Sequence, residues 1–355
     1  MSRLKVYGDK MEFEIKREKL VLRVGKQKLE WRIEPRYWRN PFIYIGILIL
    51  LPIIVYFFYP QILPTLIDAN ILAAIAIPLG WMTLGTGRMN FGPQFFIGAG
   101  GYAAALCSIH LGWPPGVTFL IATLVGLFFG LIMSPLAILS GGLYYTLLTL
   151  LFPLVFLEIT FIYTDIFKGD TGLFGVAPMV NVGSFTLNQL TICLMSLLMM
   201  LLYMFIVDKI IRSKFAASLA AINDDEEVAE AMGVNVNKMK IISFAIPATM
   251  IAIIGWFYAH YYSTFSGITY LPLTFMLKVL MVSMIGGRVQ IYGNIVGGYF
   301  IAFLELVLGM VLGDYAQVDF PVILLILLLT LPEGLFGLYR KRRYREYLPT
   351  LHVRR

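Results

Sequence analysis

The sequence predicts an all-α, polytopic membrane protein of about ten transmembrane helices, some of them broken by Gly or Pro or re-entrant. Three observations predict this fold class. Of the 355 residues, 59% are apolar and 14% are charged, whereas a soluble domain averages about 45–50% apolar and about 25% charged. The mean hydropathy is +0.80. A soluble protein of this length has too little polar surface to cover so much apolar sequence. The two cysteines exclude a disulfide scaffold, and the apolar content excludes a disordered chain.

The first 40 residues form a basic tail rather than a leader. They hold 12 Lys or Arg and 6 Asp or Glu, a net charge of +6. Charged and apolar residues alternate at 10–16, and no small-residue cleavage site follows an apolar run. Because alternation of this kind is typical of strands, we expect residues 1–40 to hold two or three short strands on the cytoplasmic side.

Residues 41–339 are expected to form the membrane domain. A membrane helix needs about 20 largely apolar residues, and Gly and Pro interrupt several of the runs. The ten predicted spans are 42–59, 70–87, 94–111, 116–139, 142–163, 188–207, 241–262, 271–286, 291–312 and 320–338.

The distribution of positive charge predicts the orientation. With the N-terminus in the cytoplasm, 26 of the 28 Lys and Arg fall on the inner side, leaving Lys168 outside and Lys278 within a span. Residues 340–355 form a second basic tail. We therefore expect a multi-pass protein of the cytoplasmic membrane with both termini in the cytoplasm. The basic excess lies in tails beside membrane lipid and accompanies no aromatic nucleic-acid motif, so no nucleic-acid partner is expected.

The longest polar insertion between spans is the 208–240 loop. Helical periodicity predicts one or two short amphipathic helices there, with Asn223 or Asp224 capping the second and Gly233 ending it. From Asp224 to Glu230 there are five acids and no Lys or Arg. The alternative is an ordinary solvated connector.

Two Gly-rich breaks, 85–94 and 286–294, form a weak internal repeat about 200 residues apart. Each is followed by Gly-Gly-Tyr, at 100–102 and 297–299. Paired broken segments indicate a solute pathway between two halves, and the alternative is close packing of glycines between helices. Whether the copies are parallel or inverted stays open.

Few ionisable residues fall inside the spans. Glu158 and Lys278 either pair within the protein or line a pathway, in which case Lys278 would favour an anionic group on the solute. Asp68, near an outer boundary, is expected to be a solvated helix cap.

No catalytic site is predicted. The three histidines lack metal-ligand spacing, so no metal is expected. The chain has no Gly-x-x-x-x-Gly-Lys-Ser/Thr loop for ATP phosphates. It is therefore expected to be neither an enzyme nor a cofactor-binding protein.

Six blocks, in order, resemble the permease family of branched-chain amino-acid ABC importers, the LivM branch in particular. The loop carries Arg-Ser-Lys-Phe at 212–215, Ala-Ile-Asn-Asp-Asp-Glu at 221–226 and Ala-Glu-Ala-Met-Gly-Val-Asn at 229–235. The other blocks are the Gly-rich stretch 85–102, Gly-Asp-Thr-Gly-Leu at 169–173, Tyr-Ala-His-Tyr at 258–261, Met-Ile-Gly-Gly at 284–287 and Leu-Pro-Glu-Gly-Leu at 331–335.

The resemblance implies a transport role and its partners. Such a permease would pair with a second, LivH-like permease subunit, cytoplasmic ATP-binding subunits and an extracytoplasmic solute-binding protein. The implied substrates are branched-chain or other amino acids, while relatives carry urea or short amides. Rival functions are an ion-coupled secondary transporter and a non-transporting membrane scaffold.

The resemblance also implies site residues. The loop would dock the ATPase and couple its motion through Phe215, Asp224, Asp225, Glu226, Glu230, Ala231 and Gly233. The substrate pathway would include Asn90, Gln94, Tyr102, Thr149, Glu158, Lys278 and Gln290. The chain departs from the family where Ala217, Ala220 and Asn223 stand in place of arginines, where Leu154 replaces an acid, and where Lys278 replaces a Glu.

Overall fold

A computed structural model describes residues 11–16, 19–24, 27–32, 41–286 and 291–312. The chain divides into two units, Met1–Leu51 and Pro52–Arg355. The first unit holds an antiparallel sheet in the order β1-β2-β3, in which Met11 pairs with Val24 and Lys19 with Arg32. Its strands are β1 (Met11–Lys16), β2 (Lys19–Val24) and β3 (Gln27–Arg32). The predicted strands in the basic tail are confirmed.

Helices make up almost all of the remaining described chain. In order they are α1 (Pro41–Phe58), α2 (Leu63–Thr86), α3 (Pro93–Leu111), α4 (Pro115–Met133), α5 (Pro135–Leu139), α6 (Gly142–Ile162), α7 (Thr164–Phe167), α8 (Phe185–Ile211), α9 (Lys214–Asp224), α10 (Glu226–Ala231), α11 (Val236–Tyr262), α12 (Gly267–Tyr270), α13 (Leu273–Gly286) and α14 (Ile291–Leu312). Two short strands, β4 (Leu173–Phe174) and β5 (Thr264–Phe265), pair antiparallel.

The all-α polytopic fold is confirmed. Within the described ranges, eight helices are long and apolar enough to cross a membrane, and they overlap the second to ninth predicted spans. The first predicted span corresponds to α1, whose apolar part Ile45–Phe58 is shorter. The tenth, 320–338, lies outside the described residues.

Helix α2 begins seven residues before its predicted start, because its polar side chains have partners inside the bundle. Asn70 donates to Ser196 Oγ on α8 at 3.0 Å and accepts from the Tyr299 hydroxyl on α14 at 2.7 Å. A polar residue satisfied by neighbouring helices does not end a span. Asp68 lies inside α2, so its predicted role as a helix cap is wrong.

Helix α13 is short. Its 14 residues follow α12 closely, and the two together make up the 20-residue candidate span Gly267–Gly286. α13 and α14 approach through Gly286 and Gly293, where a side chain on either glycine would overlap the other's backbone. The second predicted break falls partly on 287–290, outside the described residues.

The core is organised around α11, which packs on α2, α3 and α4. Gly100 of α3 lies against the carbonyl of Ala252, and Gly255 of α11 lies against the carbonyl of Ile97. Neither position has room for a methyl group. In the second copy of the repeat, Gly298 lies against Ala69 of α2. The glycines of both copies therefore serve close helix packing.

His260 secures the far end of α11. Its Nε2 lies 2.7 Å from Thr118 Oγ1 on α4, and its Nδ1 lies 2.7 Å from the carbonyl oxygen of Ala177. Both ring nitrogens thus have protein partners. Among the described residues, no group of three His, Cys, Asp or Glu side chains is placed to hold a metal ion.

Candidate functional site

Helix α9 attaches the 208–240 loop to the membrane domain. Its Ala216, Leu219 and Ile222 are buried at helical spacing, and α9 packs on α2, α8 and α11. Phe215 meets Trp81 of α2 edge to face, with ring centroids 6.4 Å apart. Because its apolar face is buried against these spans, α9 is positioned to move with them.

Asp225 caps the second loop helix. Its carboxylate accepts hydrogen bonds from the backbone N–H groups of Glu227 and Val228, at 3.0 and 3.1 Å, which is N-cap geometry. The predicted cap was therefore wrong: Asp224 is the last residue of α9, and Asn223 precedes it. The two predicted amphipathic helices are confirmed as α9 and α10.

Gly233 ends α10, as predicted. Its φ of +86° is a left-handed conformation that favours glycine. The N–H of Gly233 donates to the carbonyl of Glu230 at 2.9 Å, and the N–H of Val234 donates to the carbonyl of Ala229 at 3.1 Å. These bonds satisfy the last carbonyls of the helix.

The outer surface of α10, which we call the α10 tip, is both apolar and acidic. Ala229 is buried, whereas Val228 is 54% and Met232 78% exposed. The α10 tip comprises Glu227, Val228, Glu230, Ala231 and Met232, all of them exposed. The α10 tip is therefore an ordered, exposed surface that combines an apolar pair with two acids.

Glu226 is bound within the chain. Its Oε1 lies 2.6 Å from Nζ of Lys240, the fifth residue of α11, and the side chains are 45% and 3% exposed. Lys240 was not predicted as a functional residue. The pair connects α10 to α11, and Lys240 engages the glutamate while about half of the Glu226 side chain stays exposed.

A second, weaker pair lies where α8 ends. Arg212 Nε donates to Asp208 Oδ2 at 2.8 Å, and the two side chains are 70% and 29% exposed. This hydrogen bond and the nearby carboxylate raise the pKa of the Arg212 guanidinium. A pair so exposed contributes little to stability.

Asn90 and Thr149 stabilise the break between α2 and α3. The Asn90 amide oxygen accepts from the Gly92 N–H at 2.7 Å, and Thr149 Oγ1 accepts from the Phe91 N–H at 3.1 Å. The Arg88 guanidinium donates to the Ser140 carbonyl. In this conformation Asn90 and Thr149 are buried and engaged with backbone groups.

Three buried residues carry polar groups with no hydrogen-bond partner among the described residues; Trp81 and Gln94 flank this break, and Asn294 lies on α14. The groups are both amide atoms of Gln94, the indole nitrogen of Trp81 and Oδ1 of Asn294. All three residues are 0–1% exposed. Unsatisfied groups at this depth call for an explanation, such as a conformation in which water reaches them.

Tyr102 lies at the middle of α3 and has a different environment. Its hydroxyl accepts from the Gly267 N–H at 2.6 Å, and its ring packs edge to face against Phe156, Phe167 and Phe265. The Tyr102 side chain therefore joins the start of α12 to α3.

The other predicted pathway residues are not gathered at one point. Glu158 is exposed on α6, and Gln290 lies outside the described residues. Lys278 of α13 forms an ion pair with Glu305 of α14.

Asp68 completes a charged cluster with this pair. It lies within electrostatic reach of Lys278 and Glu305 and accepts a hydrogen bond from the Tyr262 hydroxyl. We call Asp68, Tyr262, Lys278 and Glu305 the acid–tyrosine cluster. A position inside a predicted span was a usable signal for Glu305, whereas Asp68 lies two residues before the second predicted span, and the sequence alone did not show which helix faces meet.

Comparison with known proteins places the chain among transport proteins. A sequence model of the family described as "Branched-chain amino acid transport system / permease component" matches residues 61–331. The probable branched-chain amino acid transport permease protein LivH of Methanocaldococcus jannaschii is 24% identical over 307 residues, covering 78% of this chain and 92% of the relative.

Two bacterial relatives match over shorter stretches. The high-affinity branched-chain amino acid transport system permease proteins LivH of Escherichia coli K12 and Salmonella typhimurium LT2 are each 25% identical over 126 residues. Each match covers 35% of this chain and 40% of the relative. These relatives carry the name LivH, and the LivM branch stays a prediction. No solved structure matches the chain significantly.

Proposed function

The chain belongs to the family of permease components of branched-chain amino acid transport systems, and from this premise we propose that it is one of two permease subunits of an ATP-binding cassette importer. The chain is a multi-pass membrane protein. In the proposal, separate cytoplasmic subunits hydrolyse ATP, an extracytoplasmic binding protein delivers the solute, and a related permease chain completes the conduit. The membrane is the cytoplasmic membrane, with both termini inside.

The proposed substrates are branched-chain or other amino acids. The names of the family and of the relatives support this class. Urea and short amides are the alternative, because the resemblance extends to permeases for those solutes.

The observation that carries the proposal is the α10 tip. Both ends of α10 are satisfied, by Asp225 and by Gly233, so the helix is held in place while Val228 and Met232 remain exposed. Apolar side chains in a polar rim are the residues that anchor protein interfaces. We propose that the α10 tip inserts into the ATPase subunit, with Glu227 and Glu230 contacting basic residues there.

Two connections would carry motion from the ATPase to the spans. The Glu226–Lys240 pair joins α10 to α11, which packs on α2, α3 and α4. Phe215 joins α9 to Trp81 of α2. A displacement of the α10 tip therefore acts on the central helices rather than on a loose connector. In this assignment Phe215 and Glu226 transmit, while Asp224, Glu230 and Ala231 face the partner.

The buried unsatisfied groups support a pathway that opens beside the first break. Trp81 precedes the break, and Gln94 follows it. We propose that transport separates these helices, so that water and solute reach Gln94 and Asn294. Asn90 and Thr149 would then exchange their backbone hydrogen bonds for solute contacts. Tyr102, Glu158, Lys278 and Gln290 remain assigned to the same pathway.

Reconstitution tests the function directly. The chain, a second permease subunit, the ATPase subunits and the binding protein are placed in liposomes, and leucine uptake is measured. The expected result is uptake that requires ATP and every partner. Uptake by the chain alone that disappears when an ion gradient is collapsed would establish the rival secondary transporter, and no uptake in any combination would favour the scaffold.

Matched substitutions test the α10 tip. Val228→Asp together with Met232→Asp should reduce recovery of the ATPase subunits with the permease by about tenfold or more, because charges replace the apolar anchors. The control is Val182→Asp in the loop before α8, since Val182 is 55% exposed and Val228 54%. If the double variant retains both its ATPase and its uptake, the docking assignment is wrong.

A further inference from the structure

The sheet of the first unit has two chemically different faces. Residues opposite each other in antiparallel strands lie on the same face, and successive residues of one strand alternate between faces. The register places Phe13 opposite Leu22, and Leu22 opposite Leu29. The face that holds these residues, which we call the apolar face, comprises Met11, Phe13, Ile15, Leu20, Leu22, Val24, Gln27, Leu29 and Trp31. Gln27 is the one polar residue among them.

The opposite face of the sheet is charged. It comprises Glu12, Glu14, Lys16, Lys19, Val21, Arg23, Lys28, Glu30 and Arg32, and only Val21 of this set is uncharged. A pairing shifted by one residue would mix the two sets, so the division depends on the observed register. Water solvates a charged face, whereas an apolar face needs another layer to cover it.

The first unit supplies no apolar layer of its own for this purpose. Within the described residues, the three strands pack extensively only on one another. On either side of the sheet, residues 1–10 include four charged residues and residues 33–40 include three. Short stretches with charges at this density do not provide the continuous apolar stripe that packs on a sheet. The apolar face therefore needs a cover from outside the unit.

The chain holds the sheet close to a membrane. β3 ends at Arg32 and α1 begins at Pro41, and a connection of this length reaches at most about 30 Å. α1 contains no charged residue. Its Ile47 and Leu50 are 55% and 56% exposed in the described structure, as expected of a helix that contacts lipid tails. The bilayer surface is consequently an apolar medium always within reach of the sheet.

Charge and aromatic content favour a bilayer with anionic headgroups. Residues 1–40 hold 12 Lys or Arg and 6 Asp or Glu, and basic residues near a bilayer are attracted to anionic lipids. Trp31 belongs to the apolar face, and Tyr37 and Trp38 follow before α1 begins. Trp and Tyr are enriched where hydrocarbon meets water. An apolar face with tryptophan and a basic excess is typical of an element that lies in the membrane interface.

We propose that the β1–β3 sheet is an interfacial anchor whose apolar face lies on an anionic lipid surface. The edge strands β1 and β3 stay at the level of the hydrated headgroups, because deeper insertion would leave their outer backbone groups without partners. The sheet is a single layer, so its basic residues remain within about 10 Å of the headgroups, the range of charge interactions at physiological salt. The assignment is independent of the transported solute.

Spin labels in the full chain test the anchor. Both native cysteines are replaced by alanine, and single cysteines carrying a nitroxide are introduced by four separate substitutions in the central strand, Leu20→Cys, Val21→Cys, Leu22→Cys and Arg23→Cys. The chain is placed in nanodiscs of phosphatidylcholine with about 30% phosphatidylglycerol, an anionic lipid. Collisions of the label with oxygen, which concentrates in lipid, are compared with collisions with a water-soluble nickel chelate. Leu50→Cys on α1 is the lipid reference, and Glu227→Cys on the α10 tip is the water reference.

The oxygen-to-nickel ratio should alternate along β2. We expect it to be at least about fivefold higher at positions 20 and 22, near the Leu50 reference, than at positions 21 and 23. Nanodiscs of phosphatidylcholine alone should lower the ratio at position 22 at least about twofold, because the attraction to anionic headgroups is lost.

A matched pair of substitutions tests the apolar face with the label kept at position 20. Leu22→Glu places a charge on the apolar face and should bring the ratio at position 20 down to the water reference. Val21→Glu, one residue earlier and on the charged face, should leave that ratio unchanged. Equal effects of the two substitutions would contradict the anchor.

The remaining outcomes are equally decisive. Nickel access at all four positions would overturn the anchor, because the sheet would then lie in water or be unformed. Low access of both reagents at positions 20 and 22 would show that protein covers the apolar face, and dipolar broadening between labels on two chains would identify a second copy as that cover. An unchanged ratio in phosphatidylcholine alone would overturn the choice of anionic lipid.

Discussion

Two Lys–Glu pairs in this chain have nearly the same geometry and lie in different surroundings. Glu226–Lys240 joins α10 to α11, with side chains 45% and 3% exposed. Glu305–Lys278 joins α14 to α13, with side chains 47% and 17% exposed. Beside the polar 208–240 loop, water hydrates the exposed half of Glu226. On a membrane span the exposed half of Glu305 has no such solvent, so it needs a partner.

The role of an ion pair depends on what surrounds it. The loop pair is complete within the chain and acts as a mechanical connection. The membrane pair has a second acid, Asp68, within electrostatic reach of both its members. Removing one member should damage the first pair mainly in stability and the second mainly in transport.

The largest expected effect on stability is at the loop pair. Glu226→Gln leaves the Lys240 ammonium buried without its counter-charge, and breaking a buried pair from one side costs about 3–5 kcal/mol. We expect the free energy of unfolding, measured by denaturant titration in detergent, to fall by about 3 kcal/mol, the lower end because Glu226 is half exposed.

The exposed Arg212–Asp208 pair supplies the control. Asp208→Asn should change the free energy of unfolding by less than about 1 kcal/mol, as surface pairs do. Exchanging the charges, with Glu226→Lys and Lys240→Glu together, should recover part of the loss. Equal losses in Glu226→Gln and Asp208→Asn would falsify the special role of the loop pair.

Much of the fold was predictable from apolar run length and charge bias. The long helices between α2 and α14 overlap the second to ninth predicted spans, and the loop helices α9 and α10 fall where periodicity placed them. The start of α2 was missed because Asp68 and Asn70 looked like a polar boundary. Their partners, Tyr262, Ser196 and Tyr299, come from helices more than 120 positions away.

The site was less predictable for a related reason. Glu226 was assigned to docking because sequence shows an acid but not its partner, and Lys240 lies 14 residues later on another helix. Asn90 was assigned to a pathway as a polar residue at a break and Thr149 from the family resemblance, yet both hold backbone groups of that break. Local pattern predicts helices, whereas the pairing of side chains depends on packing that it does not encode.

The second prediction concerns the membrane pair. Replacing both members, Lys278→Leu with Glu305→Leu, removes the charges together and keeps similar volumes, which is neutral or stabilising for a protein interior. We expect the free energy of unfolding to stay within about 1 kcal/mol of the native value, while ATP-dependent leucine uptake falls at least about tenfold. Uptake at the native level with raised stability would mean that this surface merely faces lipid, and the contrast between the pairs would disappear.

The smallest effect on stability is expected at Asp225, which caps α10 beside the Glu226–Lys240 pair. Asp225→Ala removes the side chain that accepts from the Glu227 and Val228 N–H groups, at a cost of about 1 kcal/mol. Amide hydrogen exchange in α10 should accelerate about fivefold, and Asp225→Ser, which keeps a capping oxygen, should restore most of the protection. Asp224→Ala, one residue earlier and outside the cap, is the matched control. Equal acceleration in the Asp224 and Asp225 variants would indicate that acidity, and not capping geometry, keeps Glu226 opposite Lys240.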